Sequence, residues 1–319
     1  MRTRLRNSYP TVGAPASTSR KKPRSPSALC NPFDTLPDDI VLCILVKLAS
    51  AADSPADFAA ALSTSKRFND LGLNSIVLSQ ASAEAFAVKA VNWSPSAKRF
   101  LQRCSDAGNA DASYTLGMIQ FYCFHEWRRG AALMARAAIR SHAPALYSLA
   151  VIQFNGSGSS KNVKDLIGGV TLCARAAFLG HIDALRELGH CLKDGYGIGK
   201  NAVEGQRFLL VANAREISAI CPTPLISESG FTLPPPKSHP ANRFLVDWYA
   251  NQAPVEPYRI CSYGGCGRPE TRMHEFRRCS VCGVMNYCSR GCQARDWSKG
   301  HNQNCRPMVR FPVINAGGR

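Results

Sequence analysis

Between Cys261 and Cys305 the chain holds seven of its 14 cysteines, and a histidine stands among them. They fall in pairs: Cys261 and Cys266, Cys279 and Cys282, Cys288 and Cys292, then His301 and Cys305. Seven thiols cannot all close as disulfides, and no secretory signal points to an oxidising compartment. Seven thiolates plus one imidazole make eight ligands, enough for two tetrahedral zinc sites. Two to four intervening residues let each pair grip one ion from a single turn or helix face. The last two pairs each have three intervening residues, so on a helix their ligands project the same way. His274 is the rival ligand, but it stands alone among Arg272, Glu275 and Arg277. A site closed by four protein ligands leaves no position for water or substrate, which makes this a structural docking module rather than a catalytic one.

The order of these ligands, together with Tyr287-Cys288-Ser289, Cys292-Gln293 and Asp296-Trp297, resembles the MYND-type zinc finger. The resemblance implies interleaved pairs: one zinc ion on Cys261, Cys266, Cys288 and Cys292, the other on Cys279, Cys282, His301 and Cys305. It also implies a surface that takes short Pro-containing peptides. The first pair has four intervening residues where two are commoner, which widens the opening loop. In so small a module Trp297 is expected beneath the helix, and Tyr287 either there or at the surface.

These ligands need a body to present them, and 319 residues with 45% hydrophobic side chains suffice for two or three domains. The formal charge of +17 suggests nucleic acid until it is located. Residues 1–33 carry seven basic groups and no acid, the finger seven basic against three acidic, and residues 34–260 only 22 against 19. Two zinc ions on seven thiolates add a net charge of about −3, so the loaded finger is also close to neutral. Nucleic-acid contact is thereby confined to the N-terminal tail, where it would be salt-sensitive and sequence-indifferent. The strongest apolar run, Ile40 to Val46, is far too short to cross a membrane, so no membrane partner is expected. Residues 1–33, rich in Arg, Ser and Pro, read as a disordered tail, as do 306–319. Arg20-Lys21-Lys22-Pro23-Arg24 is a weak nuclear-import signal, and the nucleus or the cytoplasm is the expected location.

From Asp34 the chain reads Asp34-Thr35-Leu36-Pro37-Asp38-Asp39-Ile40-Val41, with Pro37 at a helix start and acids in its first turn. Ile40, Ile44, Leu45 and Leu48 follow at helical spacing. A second helix is expected from Pro55, with Phe58, Leu62, Phe68 and Leu71 apolar. The Leu-Pro start and the Ile-Leu spacing over 34–78 resemble an F-box, the short helical motif that docks onto the Skp1 adaptor of cullin-type ubiquitin ligases. By that resemblance Leu36, Pro37, Ile40, Ile44, Leu45 and Leu48 form the Skp1-binding face. The alternative is that the stripe packs onto the first repeat helices near Phe86 and Phe100.

From 96 to 220 the chain repeats itself. Ala107–Gly117, Arg140–Ala150 and Leu179–Gly189 are three copies of one pattern, offset by 33 and 39 residues, and each opens a helix preceded by another Ala- and Leu-rich one. Such periods specify a helical solenoid, whose pairs must stack to bury their faces. Small residues at matched places let helices approach closely. The copies resemble Sel1-like repeats, cousins of the tetratricopeptide array, with Gly-rich turns at Asn155–Gly158 and Asp194–Gly197. Gly195–Lys200 looks superficially like a phosphate loop but lacks the right spacing, and Asn201 stands where Ser or Thr should hold magnesium. His125, His142, His181 and His190 are scattered with no second ligand at metal spacing; the matched positions of His142 and His181 point to packing at a helix start.

Residues 221–258 form a Pro-rich connector with a short helix over Asn242–Tyr249, expected to dock on the array's end. Phe231-Thr232-Leu233-Pro234-Pro235 in this connector could occupy the finger's own groove. The expected fold is therefore all-α: an F-box helical motif, a Sel1/TPR-like α-solenoid, and a small C-terminal MYND finger over 261–305. That order resembles plant F-box/MYND proteins. It implies a non-catalytic receptor of an SCF-type E3 ubiquitin ligase, which binds Skp1 and through it a cullin, and captures an unidentified target protein with repeats and finger. The alternative is a scaffold or transcriptional co-regulator outside the ubiquitin pathway. A lysine methyltransferase would need a SET domain, and no stretch resembles one.

Overall fold

The computed structural model describes residues 32–159, 163–220, 238–252 and 257–308. Most of the N-terminal tail, the Pro-rich stretch 221–237 with its Phe231–Pro235 segment, and the last eleven residues lie outside them. The chain divides into two compact units, Met1–Pro37 and Asp38–Arg319. In the first, the described residues make a short 3-10 turn over Pro32–Thr35 followed by Leu36 and Pro37.

The second unit begins with α1 (Asp38–Ala51), whose acids sit in the first turn as the sequence expects. The single following helix expected from Pro55 is instead two, α2 (Pro55–Ser63) and α3 (Lys66–Gly72). Ser65 causes the break: in extended conformation it caps α3, accepting from the Phe68 N–H at 3.1 Å. A fourth helix, α4 (Ser75–Gln80), packs against α1 and leads toward the repeats. Asp38 and Arg67 join α1 to α3 through an exposed ion pair, worth no more than about 1 kcal/mol.

The solenoid comprises α5 (Pro95–Asp106), α6 (Ala110–Tyr122), α7 (Trp127–Ile139), α8 (Ala143–Asn155), α9 (Leu166–Phe178), α10 (Ile182–Asp194) and α11 (Ala202–Ile220). Each helix that opens a copied pattern starts on an equivalent cap. Asn109, His142 and His181 accept from the backbone N–H three residues on, at 2.9, 3.2 and 3.3 Å. Asn109 also donates to Leu78 O and Ala81 O, tying the solenoid to the end of α4. Glycines set the tightest crossings. A Cβ on Gly117 would lie 2.9 Å from Gly130 O, and one on Gly189 would lie 2.9 Å from Gly205 O, so α6–α7 and α10–α11 meet backbone to backbone. Gly195–Lys200 is the loop between α10 and α11, with Gly195 and Gly197 in the left-handed region.

The helix expected after the linker is α12 (Pro240–Asn251). It docks not on α11 but on α6 and the 3-10 turn Ala90–Asn92, at the beginning of the array. Aromatic packing explains the choice: Phe244 meets Trp93 at 5.3 Å between ring centroids, and Trp248 meets Phe124 at 5.4 Å. The finger adds a two-residue hairpin, β1 (Arg277–Arg278) with β2 (Asn286–Tyr287), then α13 (Arg290–Asp296), a wide turn Trp297–His301 and a last turn Asn302–Asn304. Outside this hairpin and one isolated bridge the described residues are helical or irregular, an all-α architecture. No helix among them is long and apolar enough to cross a membrane.

Candidate metal centres and partner-binding faces

Backbone turns deliver the finger's ligands. Cys261 donates to Arg268 O and Cys266 to Tyr263 O, closing a loop around the first pair. Gly267 follows at φ +69°, and a Cβ there would meet the Val246 nitrogen of α12 at 2.4 Å. Cys288 ends the hairpin, and Cys292 lies in the first turn of α13, where its N–H donates to the capping Ser289 Oγ at 3.1 Å. Cys279 and Cys282 flank a turn completed by Gly283 at φ +66°. His301 and Cys305 are held one helical turn apart by a 2.7 Å backbone bond.

The structure gathers these eight side chains into two groups of four, Cys261, Cys266, Cys288 and Cys292, then Cys279, Cys282, His301 and Cys305. Within each group the ligand atoms lie within 4.8 Å of one another. The close approaches are 3.6 Å for Cys266–Cys288, 3.5 Å for Cys288–Cys292, 3.8 Å for Cys279–Cys305 and 3.8 Å from Cys282 Sγ to His301 Nε2. A tetrahedron with Zn–S bonds near 2.3 Å has edges of about 3.8 Å. A disulfide would bring sulfurs to about 2.05 Å, and all seven thiols are free. Both groups therefore fit a zinc ion. His274 belongs to neither; it occupies a left-handed turn.

Of the two aromatics, Trp297 leaves its expected place beneath the helix and Tyr287 takes the inner position. Tyr287 is fully buried and donates to Asp296 Oδ2 at 2.7 Å, while Trp297 is 44% exposed, edge-on to His301. The hairpin carries Tyr287 inward, whereas Trp297 opens the wide turn.

Sequence reasoning missed how deeply the finger is set into the array. Arg268, 4% exposed, donates to Ser148 Oγ of α8 at 2.7 Å, and Tyr114 OH lies 3.0 Å from the same oxygen. Its other terminal nitrogen approaches Cys288 Sγ at 4.0 Å. Asn155 donates to Cys288 O at 2.8 Å, Thr271 Oγ1 accepts from the Gly158 N–H, and buried Glu275 bonds Ser157. On α10, Glu187 accepts from the Arg290 N–H at 3.0 Å, Asp194 pairs with the Arg290 guanidinium at 2.9 Å, and Asp183 pairs with Arg295 at 2.6 Å. Burial pushes the Glu187 carboxyl above its ordinary value, although Arg290 beside it pulls the other way. Gly291 leaves room for Tyr147: a Cβ there would lie 2.8 Å from its hydroxyl. The only hint in the sequence was the surplus of arginine in so small a module.

The histidines were also misjudged in one respect. His142 and His239 converge on Asp111, with Nε2 atoms 2.9 and 3.3 Å from its Oδ1. This is not a metal site. Both rings use Nδ1 to accept a backbone N–H, from Ala145 and Ala241, so the proton sits on Nε2 and points at Asp111. Burial opposes ionisation of Asp111, but the bonds from His142 and His239 outweigh it and hold the carboxyl well below the usual range.

On α1 the apolar residues separate into two rows. Val41, Leu45 and Ala49 are buried, whereas Ile40 and Ile44 are 44% and 38% exposed and Leu48 is half-buried. Leu45, read from the sequence as part of the partner face, is a core residue, because one helical step turns it about 100° from Ile44. Leu36 is half-buried and Pro37 exposed. Ile40 and Ile44 stay exposed, so the row is not covered by the repeat helices near Phe86 and Phe100 as the alternative expected.

Comparison with known proteins agrees with this anatomy. Residues 84–174 match the family described as Plant tetratrico peptide repeats, and residues 261–305 match the MYND finger. F-box protein At1g67340 of Arabidopsis thaliana is 56% identical over 316 residues, covering 90% of this chain and 83% of its own length. F-box protein At5g50450 of the same plant is 56% identical over 289 residues, covering 87% of this chain and 86% of its own. Among solved structures, a Sel1 repeat protein from Oxalobacter formigenes covers 36% of this chain and 86% of its own, at 21% identity and a TM-score of 0.33. The Escherichia coli protective antigen c5321, with an SLR fold, covers 69% and 47% at 12% identity and a TM-score of 0.41.

Proposed function

The chain belongs to the family of plant F-box proteins that join Sel1-like repeats to a C-terminal MYND finger, and from that premise we propose that it is the substrate receptor of an SCF-type E3 ubiquitin ligase. In this reading α1 engages a Skp1-type adaptor and through it a cullin, while array and finger together hold the target, in the nucleus or the cytoplasm. The receptor performs no covalent chemistry; it raises the effective concentration of target lysines near the charged conjugating enzyme. Cys261, Cys266, Cys288 and Cys292 hold one structural zinc ion, and Cys279, Cys282, His301 and Cys305 a second.

The observation that carries the adaptor assignment is the exposed row of Ile40 and Ile44 beside a buried row on the same helix. A short helix that has already satisfied its core face has no folding reason to present two bare isoleucines, and burying each in a partner contributes about 1.5–3 kcal/mol. The test is a pull-down with recombinant Skp1-type adaptors, paired with a thermal melt. Ile40→Ala with Ile44→Ala should abolish co-purification while leaving stability within about 1 kcal/mol of wild type. Wild-type protein that binds no such adaptor would leave a scaffold outside the ubiquitin pathway as the better reading.

A further inference from the structure

A cavity of about 550 Å³ opens where α10 and α11 face the finger's β1, α13 and Trp297. Three guanidinium groups line it, and the carboxylates beside them leave some of their donors unpaired. Arg186 is nine-tenths buried; it pairs with Glu216 and donates to Asn213 Oδ1 at 3.0 Å, but its Nε has no partner. Arg290 pairs with Asp194 and Glu187, and its Nη1 is likewise buried without an acceptor. Arg277 makes no ion pair or side-chain hydrogen bond among the described residues. Glu216 and Asp194, the two acids in the lining, are each already taken and Glu187 is held by Arg290, so the exposed Arg277 has no direct partner and one donor each of Arg186 and Arg290 lacks an acceptor. Buried donors without acceptors are costly, and arginine is suited to receive an anion in this geometry. At the rim the half-exposed Trp297 offers an aromatic face.

We infer that this groove, built jointly by array and finger, is where the target is read, and that it selects a peptide carrying an anionic side chain, carboxylate or phosphate, beside an apolar residue. The inference rests on the receptor reading, and deepens it by assigning the class of signal. The cavity is of a size suited to a few side chains. A free inorganic anion would leave the Trp297 end unfilled, and a neutral proline-rich peptide would leave Arg277 unmatched.

The experiment is selection from a random peptide display library by the full-length zinc-loaded protein, followed by fluorescence anisotropy on the peptides recovered. Recovered sequences should be enriched in Asp or Glu next to aliphatic, aromatic or proline residues. Replacing the acid by its amide should weaken binding about tenfold or more. Placing phosphoserine there separates the two sources of anion: tighter binding marks phosphorylated targets, weaker binding a carboxylate. Arg277→Glu should lose the acidic enrichment and select Lys or Arg, Arg277→Gln should lose it without reversal, and Trp297→Ala should lower recovery of every class. Zinc content and helical signal confirm that each variant is folded. Peptides recovered without charge preference, or indifferent to the amide replacement, would overturn the anionic reading and leave target capture standing. Recovery of no peptide, or recovery unaffected by both Arg277→Glu and Trp297→Ala, would remove the groove as a target site.

Discussion

Arg268 donates to Ser148 Oγ at 2.7 Å across 120 residues of chain, and the same guanidinium lies 4.0 Å from Cys288 Sγ. One buried side chain thus touches both a metal cluster and the middle of the helical array. Arg268→Ala should destabilise the whole protein by about 1–3 kcal/mol, since it removes a charge-assisted hydrogen bond and leaves buried polar groups short of a partner. Zinc affinity at the first cluster should fall roughly 10–100-fold, the usual effect of losing a residue that bonds a ligand. A thermal melt with a competitive chelator titration reads both effects. A melt that drops with zinc affinity unchanged would mean that Arg268 serves only the interface.

Metal removal carries the same coupling further. The protein should contain two zinc ions by elemental analysis, and each site's apparent binding energy, of about 10–16 kcal/mol, is effectively the folding energy of the finger. An appended finger with a core of its own would melt independently of the array, so that Cys279→Ser would unfold one and spare the other. The buried bonds from Arg268, Asn155 and Glu187 predict otherwise. Cys279→Ser, or a strong chelator, should also lower the temperature at which the α-helical circular dichroism is lost. A helical melt unmoved by chelation would restore the picture of an appended module.

These differences mark what a sequence can display. The eight ligands and the repeat copies were legible because their information is local: a pair such as Cys288 and Cys292 needs only the end of a hairpin and the first turn of the helix that follows, and the match of His142 with His181 needs only a fixed offset. The partition of α1 was half legible. Helical spacing places Ile44 and Leu45 on one broad face, and only the packing of α3 and α4 decides that Leu45 goes inside and Ile44 stays out. The docking of the finger was not legible. It joins Ser148, Asn155 and Glu187, unremarkable polar residues on helices, to Arg268, Cys288 and Arg290 more than 100 positions away, and no periodicity encodes that. Nor could His239 announce itself as a partner of Asp111, because the turn that brings it back follows a long linker.

Acid should weaken the protein through His181, and the sign follows from its burial. The ring caps α10 by accepting from the Ala184 N–H at 3.3 Å, and it stacks on Tyr147 with centroids 4.7 Å apart. Burial lowers its pKa from the ordinary 6.5 to about 4, with Arg295 and Arg268 adding to the shift against the opposing pull of Asp183. The folded state therefore refuses a proton that the unfolded chain accepts below pH 6.5. Stability is unaffected by this group above that value, falls as the pH drops from about 6.5 toward 4, and changes no further below it. The full shift corresponds to about 3 kcal/mol. His181→Asn keeps a capping acceptor but cannot be protonated. It should cost about 1 kcal/mol at pH 7 through the lost stacking, and it should flatten the decline between pH 6.5 and 4. Protonation of the cysteine ligands acts on both proteins alike, so the comparison isolates the histidine. Denaturant titrations of both proteins across this range supply the measurement. Stability curves that stay parallel from neutral to acid pH would mean that His181 does not resist protonation in the folded protein.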